Sequence, residues 1–191
     1  MQSADIAAWV QGMGSLLAII AAISIYAKQY KDKQADDKNE TRAFVEAIRD
    51  EVQAAWSSYC IEIHPWLQSL PDGEPFNVTY PVLTERFTIY ENGASIVGKI
   101  DDPELRRMIV KTYSLAMGLI ASFQLNNSLL NERNQLWLLY QGPNRDDVLA
   151  AREKGLRDYA AKLKERDLWI TEAVAALLLR TDQWLSSQPE Q

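Results

Sequence analysis

The sequence predicts an all-α protein, in which one N-terminal transmembrane helix precedes a cytoplasmic domain resembling a four-helix bundle. Three observations carry this expectation. The stretch Ile6 to Tyr26, IAAWVQGMGSLLAIIAAISIY, holds no Asp, Glu, Lys, Arg or His. Beyond it, apolar residues recur at steps of three and four along extended segments, the period of a helix with one buried face. No segment alternates apolar and polar residues long enough for a strand; Asn77 to Tyr80 is too short to count.

These signals divide the chain into a short external tail over 1–5, a transmembrane helix over 6–27 and a polar stalk over 28–41. A helical domain follows over 42–186, with a tail over 187–191. A helix of the length of the uncharged run measures roughly 30 Å, the thickness of a bilayer's hydrocarbon core. The residues before it, MQSAD, include no Lys or Arg, unlike the basic start of a signal peptide. Lys28, Lys31, Lys33, Lys38 and Arg42 follow it. Basic residues on one flank keep that flank in the cytoplasm, so the expected topology is N-terminus outside and domain inside. Trp9 at one end and Tyr26 and Tyr30 at the other suit the two interfacial belts.

Within the span, Ala4, Ala8, Gln11, Ser15, Ala18 and Ala22 recur at steps of four and three. Small residues let helices approach closely in lipid, and an amide or hydroxyl bonds across the contact. Ala8, Gln11, Ser15, Ala18 and Ala22 are therefore the candidate contact or pore-facing residues. The partners implied are the lipid bilayer and either a second copy or a partner membrane protein.

The stalk KQYKDKQADDKNET has no Pro or Gly, so the span either continues through it or ends where Asn39 or Thr41 caps a new helix. Phe44, Ile48, Val52, Ala55, Tyr59, Ile63, Trp66 and Leu70 mark the first domain helix, bent near Pro65. PDGEPFNVTYP, residues 71 to 81, is the strongest loop signal. Leu83, Phe87, Tyr90, Ala94 and Val97 predict a shorter helix that stops near Gly98, with Asn92-Gly93 as its weak point. Asp101-Asp102-Pro103-Glu104 has the acidic cap and early proline of a helix start. The long helix it opens carries Leu105, Ile109, Tyr113, Ala116, Ile120, Phe123, Leu130 and Trp137 on its main stripe. Asn127 and Asn134 share that register and need partners if buried. After QGPNRDD, with Asn144 or Asp146 as cap, a last helix carries Val148, Leu156, Tyr159, Leu163, Ile170, Val174, Leu177, Thr181 and Trp184.

The chemistry that the chain lacks is equally informative. A net charge of −6 argues against a broad nucleic-acid surface. Cys60 is the only cysteine and His64 the only histidine, so catalytic triads and Cys/His metal sites are not expected, and no cofactor is implied. Cys60, beside an apolar stripe, is expected to pack; His64, before Pro65-Trp66, is expected to serve structure or capping. The nucleotide-binding glycine motifs and the Gly-x-Ser-x-Gly elbow are absent from the sequence. The carboxylates are expected on solvated faces and caps. The chain is therefore expected to act without catalysis.

Trp9-Val-Gln-Gly-Met-Gly-Ser-Leu-Leu-Ala-Ile-Ile-Ala-Ala-Ile, with Tyr90-Glu-Asn and Gly98-Lys-Ile-Asp-Asp-Pro-Glu-Leu further on, resembles a large group of uncharacterised bacterial single-span proteins. That resemblance covers the span and residues 85 to 125 and implies an inner-membrane location. The architecture is also similar to small CRISPR-associated membrane proteins with one N-terminal span and a HEPN-like helical domain, which act as oligomeric pores. HEPN ribonucleases carry Arg, often Arg-Asn, followed four to six residues later by His. Arg133-Asn134 begins such a motif, but Gln135 to Tyr140 include no histidine. The resemblance therefore implies no nuclease reaction.

Overall fold

The computed structural model describes residues 2–81 and 87–188, with side chains from residue 22 onward, and is all-helical over them. Six helices follow one another: α1 (Gln2–Glu62), α2 (His64–Gln68), α3 (Thr88–Asn92), α4 (Ala94–Val97), α5 (Pro103–Leu139) and α6 (Arg145–Ser187). Two compact units result, Met1–Ala43 and Phe44–Gln191.

In the first unit α1 runs without a break through the polar stretch 28–41. Thr41 does not cap a new helix. Its hydroxyl donates to the Asp37 carbonyl at 2.8 Å, one turn back, a bond that is made within a continuing helix. From Ala22 to Gln34 every residue is exposed, including Ile23, Ile25, Tyr26 and Tyr30.

The second unit is built on α5 and α6, which pack closest. α5 starts as its sequence dictates. Asp102 Oδ1 accepts from the Glu104 and Leu105 amides at 2.9 and 3.1 Å, and Pro103 occupies the first turn, where its missing N–H costs nothing. A second Asp102 oxygen lies 2.6 Å from the Arg180 guanidinium on α6, and Trp184 donates to Asp101 at 3.0 Å. These groups tie the start of α5 to the end of α6. Between the two helices lie Leu105, Ile109, Tyr113, Phe123, Leu163, Ile170, Val174 and Leu177, all buried. Among the residues whose side chains are described, α5 is also the one helix long and apolar enough to cross a membrane by length and composition, a test that a bundle's core helix passes equally.

The last part of α1, from Phe44, closes this core with Val45, Ile48, Val52 and Tyr59. Glu51 of that part accepts from the Ile89 and Tyr90 amides at 2.8 and 3.3 Å and from the Tyr113 hydroxyl at 2.6 Å. A carboxylate that was expected on a solvated face thus supplies the missing partners for the first N–H groups of α3. Tyr90 stacks on Tyr113, ring centroids 4.0 Å apart, and burial, then the Glu51 bond, pushes the Tyr113 phenol up.

Three expectations change here. The single helix over Leu83–Val97 is two short ones split at Gly93, while 82–86 lie outside the described residues. Gly93 sits at the junction against the Phe44 ring: a Cβ there would lie 2.1 Å from the ring, so a side chain at 93 would have to displace it. The bend near Pro65 is an interruption at Ile63, with Pro65 placed in the first turn of α2, where proline fits. Asn144 precedes α6 without capping it; its Oδ1 accepts from the Tyr140 hydroxyl at 2.6 Å.

The loop over 71–81 folds as its composition asks. The Glu74 amide reaches the Pro71 carbonyl at 3.2 Å, and Gly73 takes φ 80°, the left-handed position of a type II turn. The loop is then clamped onto α5. Asn127 bonds both the amide and the carbonyl of Tyr80, at 3.2 and 2.7 Å, and buried Asn126 donates to the Phe76 carbonyl at 3.1 Å. The expected need of Asn127 for partners is met in this way, while Asn134 is exposed.

Candidate functional site

The densest polar chemistry in the second unit surrounds Asp167. Its α6 neighbours at core positions are Leu156, Ala160, Leu163, Ile170, Val174, Leu177, Thr181 and Trp184, all buried. These steps of four and three run unbroken only when Asp167 is included, so a carboxylate occupies a core position and is 0% exposed. A carboxylate there requires donors. Three converge from the end of α1 and from α2. The Tyr59 hydroxyl donates to Oδ1 at 2.7 Å, His64 Nδ1 lies 2.7 Å from the same oxygen, and Gln68 Nε2 donates to Oδ2 at 2.6 Å.

Local structure explains the convergence. Tyr59 stands in the last turn of α1. The interruption at Ile63 turns the chain, and α2 then presents His64 and Gln68, one turn apart, on one face. Trp56 packs against both Tyr59 and His64, with ring centroids 5.4 and 5.8 Å away.

Electrostatics follow from this geometry. An ionised carboxylate can only accept, so His64 Nδ1 is the donor in its contact with Asp167. Burial, then the Asp167 bond and its charge, pushes the Tyr59 phenol up. The Cys60 thiol is also pushed up, by burial first and the Asp167 charge second, which disfavours the thiolate. An imidazole oriented by a carboxylate is the arrangement of a general base. Here the thiolate of the nearest thiol in sequence is disfavoured, and the Tyr59 hydroxyl and one Gln68 N–H are directed to Asp167. The four groups satisfy one another, as a structural polar network does.

The remaining features are less equipped. A cavity of about 70 Å³ among Val52, Trp56, Tyr113, Phe123, Ile170 and Val174 is apolar. It is about half the volume that admits benzene in an engineered core, which makes it a packing void. Arg133 of the Arg-Asn pair donates to Asn77 Oδ1 at 2.7 Å and lies 3.4 Å from Glu153, so it braces the loop and α6. Among the described residues no group of three His, Cys, Asp or Glu side chains is placed to hold a metal ion.

The residues singled out in the span divide. Ala8, Gln11, Ser15 and Ala18 lie on α1, but their side chains fall outside those described; Ala22 is exposed. Sequence reasoning placed His64 in a structural role and missed its partner. The signal was present in α6, as a skipped position between Leu163 and Ile170 in a stripe that is otherwise regular from Leu156 to Trp184.

Comparison with protein-family models, with curated proteins and with solved structures finds no match to this chain.

Proposed function

We propose that this protein is a single-pass membrane protein whose helical domain works without catalysis, as an interaction or scaffold module at a bacterial inner membrane. The observation that supports it most is the exposure of Ile23, Ile25, Tyr26 and Tyr30 on α1, each more than half exposed, at the end of the uncharged run from Ile6. Apolar side chains on all sides of a helix, with no protein covering them, ask for lipid. In this reading residues 6–27 cross the bilayer, the N-terminus is outside, and α5 is the core helix of the domain. The domain is then a variant four-helix bundle, with the α3–α4 pair in place of the fourth rod.

Membrane fractionation tests the anchor. The full chain should stay with membranes after an alkaline carbonate wash, and Leu17→Arg with Ile20→Arg should release it. Recovery of the unaltered chain in the soluble fraction overturns the proposal. Protease added outside spheroplasts should spare a C-terminal tag.

A second reading rests on the stripe Ala8, Gln11, Ser15, Ala18 and Ala22, which favours helix association in lipid. On it the protein is a homo-oligomeric pore or membrane-perturbing effector, as in phage defence. Dye release from vesicles carrying the purified chain supports this reading, and tight vesicles reject it.

A further inference from the structure

The α5–α6 hairpin continues past the bundle as a finger, with packing unlike that of the rest. Leu130 and Leu156 are buried, yet no residue from 131 through 155 is. The last link from the bundle's loop is Asn77, bonded to Arg133. Among the described residues the two helices there pack on each other, joined by ion pairs Arg133–Glu153 at 3.4 Å and Arg152–Glu132 at 3.2 Å. The finger is nevertheless rich in large apolar side chains. Trp137, Leu138 and Leu139 are 61%, 63% and 78% exposed.

One side of the finger is a shallow cleft lined by Arg133, Asn134, Trp137, Leu149, Ala150 and Glu153. It sets a tryptophan on α5 beside a small residue on α6, which is a knob next to a hole. Its size matches a modest protein contact. About ten residues per helix make a face roughly 15 Å long and, two helices across, about 20 Å wide. Such a face buries on the order of 500 Å² per copy once side-chain relief is counted, the low end for specific association.

Charge points to the occupant. The segment from 131 to 155 holds Arg133, Arg145, Arg152 and Lys154 against Glu132, Asp146, Asp147 and Glu153. It is neutral, in a chain whose net charge is −6. Two such neutral faces meet without net repulsion, as a contact between identical copies requires. A two-helix finger paired with its own copy also forms four helices, the smallest arrangement that covers both inner faces.

We propose that the Trp137 face of the finger is a self-association surface: two copies pair finger to finger about a two-fold axis, each Trp137 seated over the other's Leu149 and Ala150. The contact is isologous and closes after two copies. It does not depend on the membrane reading, although tethering in one bilayer strengthens it by raising effective concentration.

Crosslinking of the full chain in detergent tests the pairing. Two differently tagged copies are mixed, one carrying Trp137→Cys and the other Ala150→Cys, both with Cys60→Ser. Mild oxidation should join them, while Leu179→Cys, exposed on α6 outside the finger, should not crosslink. In the otherwise unaltered chain, Trp137→Lys should weaken dimerisation by about thirtyfold, the scale of an interface hot spot, with helix content by circular dichroism unchanged. No 137–150 crosslink, or a dimer unaffected by Trp137→Lys, overturns the proposal. A dimer lost with Gln11→Leu but kept with Trp137→Lys assigns association to the span instead. Carbonate extraction of the same variants reports the anchor separately.

Discussion

The two ends of the α5–α6 hairpin share a helical period and differ in almost everything else. From Pro103 to Leu130 and from Leu156 to Ser187 the helices bury Ile109, Tyr113, Phe123, Leu163 and Leu177, and they also bury Asp167 with its donors and Asn126 with its Nδ2 bonded to Phe76. From 131 to 155 they bury nothing. The difference is the third layer. Next to the first region stand the end of α1 and the clamped loop; next to the finger, among the described residues, stands no further element of the bundle. An apolar stripe therefore marks where a helix can be covered, and a second element decides whether it is. The bundle region spends its residues on stability and leaves the finger as the surface open to association.

Predictions sharpen this contrast in descending size. The largest effect is expected at the buried carboxylate. Asp167→Ala leaves the buried Tyr59 hydroxyl and the half-buried His64 ring without their acceptor, while exposed Gln68 can turn to water, and should destabilise the protein by about 3 kcal/mol, read as a lowered thermal midpoint by circular dichroism. A loss below about 1 kcal/mol would show that the network does not hold the bundle region together.

A smaller effect is expected from alkali. Tyr59 and Tyr113 have phenols raised above their ordinary value near 10 by burial and by bonds to Asp167 and Glu51. The folded state holds these protons more tightly than the unfolded state does. The stability that they contribute is therefore complete below pH about 10 and declines above it, by up to about 1.4 kcal/mol per pH unit for each tyrosine. Urea midpoints measured from pH 9 to 11.5 should show the decline, and Tyr113→Phe should flatten it. An unchanged slope would remove Tyr113 from the account.

The smallest effect belongs to the finger. Leu138→Gln replaces an exposed leucine with a good helix former and should change folding stability by no more than about 0.5 kcal/mol. A loss comparable to that of a core leucine would mean that the finger is packed and would erase the contrast.

Much of the helical order was legible because its causes are local. Asp102-Pro103-Glu104 encodes a cap and a first turn within three residues, and the structure makes the bonds those residues call for. Pro71-Asp72-Gly73 encodes its turn in the same way. The candidate site was half legible: His64 stood out as a lone histidine, while Asp167 was hidden as one acidic residue among many. Trp137 was misplaced for the complementary reason. Its spacing continues the stripe from Leu130, and spacing carries no information about how far the neighbouring elements extend.

By itself, then, the sequence determined the helical class, the turns, the start of α5 and the uncharged run from Ile6 to Tyr26, since each depends on residues close together in the chain. Only the tertiary structure decided which carboxylate lies at the core, that Glu51 serves α3, that Gly93 yields to Phe44, and that the hairpin outruns its bundle. Each of these depends on groups tens of residues apart. Burial and hydrogen bonding act through space, and no local period reports which distant side chain arrives.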